Sequence, residues 1–328
     1  MSSLANFFLL VLFTFAVLAL FTQFFARRVA AHFRPRGEWL EVDGERIHYR
    51  RLGEGPPLVL VHGLAGESRN FDYLPLAELA KRWQLVLIDR PGAGHSPRRD
   101  PGKAGIAAQA RLVAGFIRAM DFRCRPLLVG HSLGGAIGLS VALQDPDCIA
   151  GLALIAPLTH FDPHVPRPFR AMAIRTPWLR RFYAHTVSIP VSLASTPAIL
   201  SALFGPDAAP RDFAVRGGGL MSARPSAFIA ASEDMAAVEA DLRPQQERYA
   251  SIRLPVHVLY GEGDRVLDWQ AQGRGLHAKL PAADLRVIPG GHMLPVTAAA
   301  ATAAWLDEAA RAVHMDLCQS GARKAPLP

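Results

Sequence analysis

The stretch Gly130-His131-Ser132-Leu133-Gly134 most constrains what this chain can fold into. It follows the apolar run Pro126-Leu127-Leu128-Val129 and opens a helix-like run from Gly135 to Leu143. A turn of this kind, between a strand and a helix, holds its serine in a strained backbone conformation with the hydroxyl raised above the sheet. The flanking positions must then lack a bulky Cβ. Gly130, Gly134 and Gly135 meet that demand, and Ser132 becomes the candidate nucleophile.

A serine hydroxyl is a poor nucleophile at neutral pH and needs a base that is itself held by an acid. The run Leu254-Pro255-Val256-His257-Val258-Leu259-Tyr260 reads as a buried strand leading into Gly261-Glu262-Gly263-Asp264. Asp264 is thus expected at a strand's carboxyl end. A second apolar strand, Leu285-Arg286-Val287-Ile288, ends in Pro289-Gly290-Gly291-His292 and brings an imidazole to the same edge. The order along the chain is Ser, Asp, His, with His292 lying 28 residues beyond Asp264, enough for one crossover helix and one strand. Asp268 is the nearest alternative acid.

Two further strand-and-loop motifs precede the serine: Leu58-Val59-Leu60-Val61-His62-Gly63-Leu64, and Leu85-Val86-Leu87-Ile88-Asp89-Arg90-Pro91-Gly92-Ala93-Gly94-His95-Ser96. With these motifs and the order of the three candidates, the chain resembles the α/β-hydrolase superfamily from about Glu38 to Val313. The resemblance implies a mainly parallel central sheet flanked by helices, with a helical cap inserted before the strand leading to the catalytic acid. It also implies an oxyanion hole formed by the backbone N–H groups of Leu64 and Leu133. His62 is expected to order the oxyanion loop, and Asp89 and His95 to hydrogen-bond their own turn.

Residues 38–156 and 254–314 are the expected core, opened by a hairpin at Asp43-Gly44. Residues 157–253 are the expected cap, where Pro163, Pro166 and Pro168 break the first segment. Trp178, Leu179, Phe182 and Tyr183, then Ile199, Leu200, Leu203 and Phe204, have helix-face spacing and suit the roof of an apolar pocket. Ala231 to Arg243 reads as the cap's closing helix and carries no assigned chemistry. Replacing the cap by a short linker is expected to preserve the sheet.

Leu4 to Phe25 is a run of 22 residues without a charge, long enough to cross a bilayer. No Lys or Arg precedes it, while Arg27, Arg28, Arg34 and Arg36 follow. That asymmetry predicts an uncleaved anchor over residues 1–28, a basic linker over 29–37 and a cytoplasmic catalytic domain. Lys and Arg total 36 against 28 Asp and Glu, a net charge of +8. No recognition motif accompanies that charge, so a nucleic-acid partner is not expected. Three scattered cysteines suit a reducing compartment. Residues 315–328 read as a disordered tail.

The expected chemistry is two-step acyl transfer from a small hydrophobic ester to water, with no metal or organic cofactor. Serine at position 132 disfavours the aspartate-nucleophile chemistry of epoxide hydrolases and haloalkane dehalogenases. Carbon–carbon bond hydrolases, acyltransferases and cofactor-free haloperoxidases share the triad and remain open, whereas a non-catalytic membrane-bound binding protein would have lost a triad member. The anchor, the elbow and Gly261 to Asp268 together resemble the membrane-anchored monoacylglycerol-lipase-like branch. Oligomeric state is left open.

Overall fold

Asp43 and Gly44 both adopt positive φ, 49° and 75°, as a two-residue hairpin turn requires. They join β1 (Glu38–Val42) to β2 (Glu45–Leu52) in antiparallel register. In this computed structural model, which describes residues 2–163 and 167–319, six further strands follow. They are β3 (Pro57–Val61), β4 (Gln84–Ile88), β5 (Leu127–His131), β6 (Gly151–Ile155), β7 (Val256–Gly261) and β8 (Asp284–Ile288). One eight-stranded sheet results, in the order β1-β2-β4-β3-β5-β6-β7-β8, parallel from β4 onward.

The central strands are apolar on both faces because helices cover both. Val59, Val61, Val86, Ile88, Leu128, Leu152 and Leu154 pack with Phe116 and Ile137, residues of α3 (Ile106–Ala119) and α4 (Leu133–Gln144). The alternate residues Leu58, Leu60, Leu85, Leu87, Val129 and Ile155 pack with Trp305, Leu306 and Ala310 of α11 (Ala299–Gln319). Shorter helices complete the core: α2 (Leu76–Leu79), α9 (Gly275–Lys279) and α10 (Leu294–Thr297). Since α11 runs through Gln319, the first residues of the expected tail are helical; residues 320–328 lie outside the described residues.

Between β6 and β7 the described chain is helical, with α5 (Pro177–Thr186), α6 (Ser188–Phe204), α7 (Gly219–Ser222) and α8 (Pro225–Gln246). This insertion occupies the position expected of the cap. Pro166 lies outside the described residues.

The apolar N-terminal run forms α1 (Ser2–His32), which continues into the expected linker. The reason is packing. Val11, Phe15, Leu18, Thr22, Phe25, Val29 and Phe33 recur at three- and four-residue spacing and are the less exposed side of the helix. Val29 and Phe33 bury against Met221 of α7, the Phe15 and Phe182 rings meet edge-on at 5.0 Å, and the buried Thr22 hydroxyl donates to Thr186 O at 2.8 Å.

Candidate active site

Ser132 sits between β5 and α4 at φ 54°, ψ −118°, a conformation that L-residues rarely occupy and that costs strain. Its surroundings over-determine it. Ser132 N–H donates to Ile155 O at 3.0 Å, and Ser132 O accepts from Gly135 N at 2.8 Å and Leu158 N at 3.0 Å. A Cβ at Gly134 would strike Val61 O, and one at Gly130 would strike the Gly134 carbonyl, so both glycines of the motif are steric requirements of the turn.

β7 ends at Gly261, and the next turn carries Asp264 as expected. One carboxylate oxygen accepts from Val266 N at 2.8 Å and Leu267 N at 2.9 Å. The other accepts from His292 Nδ1–H at 2.7 Å. Burial works to raise the Asp264 pKa, but the His292 contact and the two backbone donors outweigh it and hold the group below its usual value. Both side chains are almost fully buried, at 3% and 0% exposure for His292 and Asp264. Asp268, the alternative acid, is exposed and accepts from Gln270 N at 3.0 Å.

The chain brings the neighbour of Ser132 to His292. The His131 ring lies 5.0 Å from the His292 ring, and its Nε2 is 3.1 Å from His292 O. Burial lowers the His131 pKa to about 3, so the ring is neutral and its Nε2–H donates to that carbonyl. From the other side comes the loop after β3: a Cβ on Gly63 would lie 2.9 Å from Ser132 Cβ. Leu64 follows Gly63 in the turn closed by Gly66 N–H to Gly63 O at 3.3 Å. Leu133 opens α4, where backbone N–H groups have no helical acceptor. Gly63, which precedes Leu64, and Leu133 thus adjoin Ser132 on separate elements.

His62 is fully buried; its Nδ1–H donates to Gly63 O at 2.9 Å, and its Nε2 accepts from Arg90 N at 3.0 Å. Burial, reinforced by the Arg90 charge, lowers its pKa to about 3. It orders the loop, as expected. Asp89 is likewise structural, accepting from Ser68 N, His95 N and His48 Nδ1 at 2.8, 2.9 and 2.8 Å. Burial alone would raise its pKa, but these donors and the His48 charge keep it far below the carboxylate range. His95, driven down to about 4 chiefly by burial, lies beside this pair rather than beside Ser132.

Sequence reasoning missed three residues. His131 was only the variable position of the motif. Arg90 was part of a turn, yet its side chain is buried and donates to His62 O at 3.1 Å, Gly63 O at 2.7 Å and Gln109 Oε1 at 2.6 Å. Asp234, assigned no chemistry, pairs with Arg90 at 2.8 Å and Arg98 at 2.5 Å. The signal available was an Arg in a sheet-edge turn and an Asp on an otherwise apolar helix face. Among the described residues no group of three or more His, Cys, Asp or Glu is arranged to hold a metal ion.

A family model described as alpha/beta hydrolase fold matches residues 56–299. A putative carbamate hydrolase, RutD, of Agrobacterium fabrum is 36% identical over 38% of this chain and 46% of its own length. An uncharacterized hydrolase, YugF, of Bacillus subtilis is 26% identical over 77% of this chain and 90% of its length. The chain spans less than half the length of RutD and 33% of an acetyltransferase component of an acetoin-cleaving system from Cupriavidus necator, another relative it matches. Among solved structures, an enol-lactonase from Burkholderia xenovorans superposes with TM-score 0.67 at 23% identity, over 83% of this chain and 99% of that one. A bacterial membrane phospholipase A superposes with TM-score 0.60 at 21% identity, over 96% of this chain and 99% of that one. These two likenesses show the fold alone.

Proposed function

The chain belongs to the α/β-hydrolase family, and on that premise we propose that it is a serine hydrolase of hydrophobic carboxylic esters held at a membrane. The observation that carries the chemistry is the buried hydrogen bond of 2.7 Å from His292 Nδ1 to Asp264, with the ring of His131, the residue before Ser132, 5.0 Å from that of His292. With Nδ1 engaged, Nε2 of His292 is the nitrogen free to take a proton.

The proposed reaction runs in two halves. His292 Nε2 removes the Ser132 hydroxyl proton as Oγ attacks the ester carbonyl. Asp264 stabilises the imidazolium, and the N–H groups of Leu64 and Leu133 receive the oxyanion. Collapse breaks the carbonyl–alkoxide bond, and the leaving alcohol takes the proton from His292. Water, deprotonated by the same imidazole, then attacks the acyl-enzyme, releasing the acid and restoring Ser132.

The preference for hydrophobic esters rests on the apolar insertion above the sheet edge, where Phe204, Phe213, Met293 and Val296 cluster next to His292. Membrane attachment rests on α1, in which Ser3–His32 is long and apolar enough to cross a bilayer, with the arginines at its C-terminal end assigning the catalytic domain to the cytoplasmic side. The test is covalent labelling with a fluorophosphonate probe together with hydrolysis of a chain-length series of p-nitrophenyl and glyceryl esters. Labelling and turnover that both vanish in Ser132→Ala support the proposal. An unlabelled protein with no esterase activity sinks it.

A further inference from the structure

We infer that His131 is a positioning residue for His292, a role that rests on the serine-hydrolase reading and lies outside the triad. Its Nε2–H holds the His292 carbonyl at 3.1 Å and so fixes the base relative to Ser132.

His292 stands on a loop with little stiffness of its own. Gly290 and Gly291 precede it, and Gly290 takes φ 137°, a region that L side chains rarely enter. Two tethers of this loop run to the loop of Asp264. Gly290 O accepts from Gly263 N at 2.9 Å, and His292 Nδ1–H donates to Asp264 at 2.7 Å. A third, from Gly291 N to an Asp207 carboxylate oxygen at 3.3 Å, runs to the insertion. These three tie the base to the acid and to the cap, and none of them reaches the serine.

His131 does. It is the last residue of β5, paired with Ile155 of β6, and it is bonded covalently to Ser132, so its ring shares the frame of the nucleophile. The side chain is 3% exposed. On one side a Cβ at Gly63 would lie 3.4 Å from His131 Nδ1; on the other the His292 ring is 5.0 Å away. The imidazole thus fills the space between the loop after β3 and the loop of His292, with its donor aimed at the latter.

Packing alone does not account for an imidazole here. Among the described residues the buried Nδ1 has no hydrogen-bond partner, and an unpaired buried acceptor disfavours the folded state, whereas an apolar side chain of that size would bring none. What the imidazole adds is the N–H on Nε2. Burial lowers its pKa to about 3, so the ring stays uncharged and sets no positive charge beside the imidazolium that His292 becomes in the reaction. A neutral donor on a backbone carbonyl places the base without opposing its protonation.

The test compares His131→Met with His131→Gln in the full chain. The two side chains are close in length and volume, and the glutamine amide alone carries N–H donors in place of Nε2–H. Turnover of p-nitrophenyl butyrate is expressed per serine titrated to completion by a fluorophosphonate, so that misfolded molecules drop out of the count. The expected result is that His131→Met loses about 10- to 100-fold in kcat with KM within about twofold of wild type, on the order of what a small misplacement of a reacting group costs. Its phosphonylation should slow by the same factor, and His131→Gln should recover most of both losses. If His131→Met yields too little folded protein to titrate, His131→Leu is read against His131→Gln in the same way. Unchanged turnover per titrated serine in the variant without a donor, whatever its KM or stability, would overturn the inference and leave the hydrolase reading standing. So would a His131→Gln enzyme as slow as the variant without a donor. A wild-type protein that neither labels nor hydrolyses would remove the hydrolase reading and the inference together.

Discussion

Arg90 and Asp234 form a buried ion pair at 2.8 Å although 144 residues separate them in the chain. Arg90 comes from the turn after β4, Asp234 from α8 of the insertion, and the same guanidinium holds the Gly63 carbonyl at 2.7 Å. Burial draws the Arg90 pKa below its usual value, and Asp234 pulls it back. The loop that presents Leu64 is therefore braced by a charge whose partner lies outside the sheet domain. Removing one partner of such a pair leaves an uncompensated buried charge, which costs about 3–5 kcal/mol. Asp234→Ala should lower stability by that amount in urea titrations. A loss below about 1 kcal/mol would show the pair to be as weak as a surface contact.

The same bond alters the expectation for the whole insertion. Replacing residues 157–253 by a linker deletes the counterion of Arg90, the Gln245 amide donated to Ala136 O at 2.9 Å and the buried Tyr249. The shortened chain should fail to give a cooperative unfolding transition, rather than retain the sheet with altered selectivity. A soluble shortened protein with a sharp transition would restore the simpler picture of a detachable cap.

Ser132→Ala and His292→Ala should reduce turnover by about four to six orders of magnitude, because members of a triad act as a unit. Asp264→Asn should cost about four orders, since the amide favours the wrong imidazole tautomer. Asp268→Asn should stay near wild type, because that carboxylate caps Gln270 instead. Steady-state kinetics on a short-chain ester checks all four, and near-normal rates for Asp264→Asn would move the acid elsewhere.

How much of this was legible depends on range. Ser132, Asp264 and His292 each follow an apolar strand and sit in a glycine-rich turn, so local pattern alone located them, and the parallel sheet followed from continuous apolar runs. Arg90 with Asp234, and His131 with the His292 carbonyl, are pairings across the fold that no local period encodes. The docking face of α1 was hidden for a different reason. Val11, Phe15, Leu18, Thr22, Phe25 and Val29 form a regular stripe, but the positions between them are apolar too, so hydrophobic periodicity vanishes.

Stability should fall as pH drops below about 6.5. The folded pKa values of His62 and His131 are both lowered to about 3 by burial, from 6.5. Between those values the unfolded chain binds protons that the folded chain refuses, so each histidine removes about 1.4 kcal/mol per pH unit on acidification. Glu67 has the opposite sign: burial and then Asp89 raise it from 4.5 to about 8, so it favours the folded state as pH falls from 8 to 4.5. One histidine is offset in that window, and the decline should steepen below 4.5. Denaturation midpoints across pH 8 to 3.5 test this, and Glu67→Gln should remove the offset; a flat profile from 6.5 to 4 would contradict both assignments.

The last prediction concerns α1. A cleaved leader would leave its binding face on the insertion uncovered, exposing Met221 and stripping the Thr186 carbonyl of the Thr22 hydroxyl that lies 2.8 Å from it. Uncovering the apolar surface buried between Val29, Phe33 and Met221 costs stability, so the folded state is better packed with α1 in place. The mature protein should therefore keep Leu4 to Phe25 and resist extraction by alkaline carbonate. Deletion through Arg28 should release it, at a cost in thermal stability that an unattached tether would not show. With Arg27, Arg28, Arg34 and Arg36 on the domain side of the run, a cytoplasm-dependent fluorophore fused after Pro328 should shine and an export-dependent phosphatase there should stay inactive. The reverse pattern would turn the protein over in the membrane, and a purified chain whose N-terminus begins near His32 would mean that α1 is a leader after all.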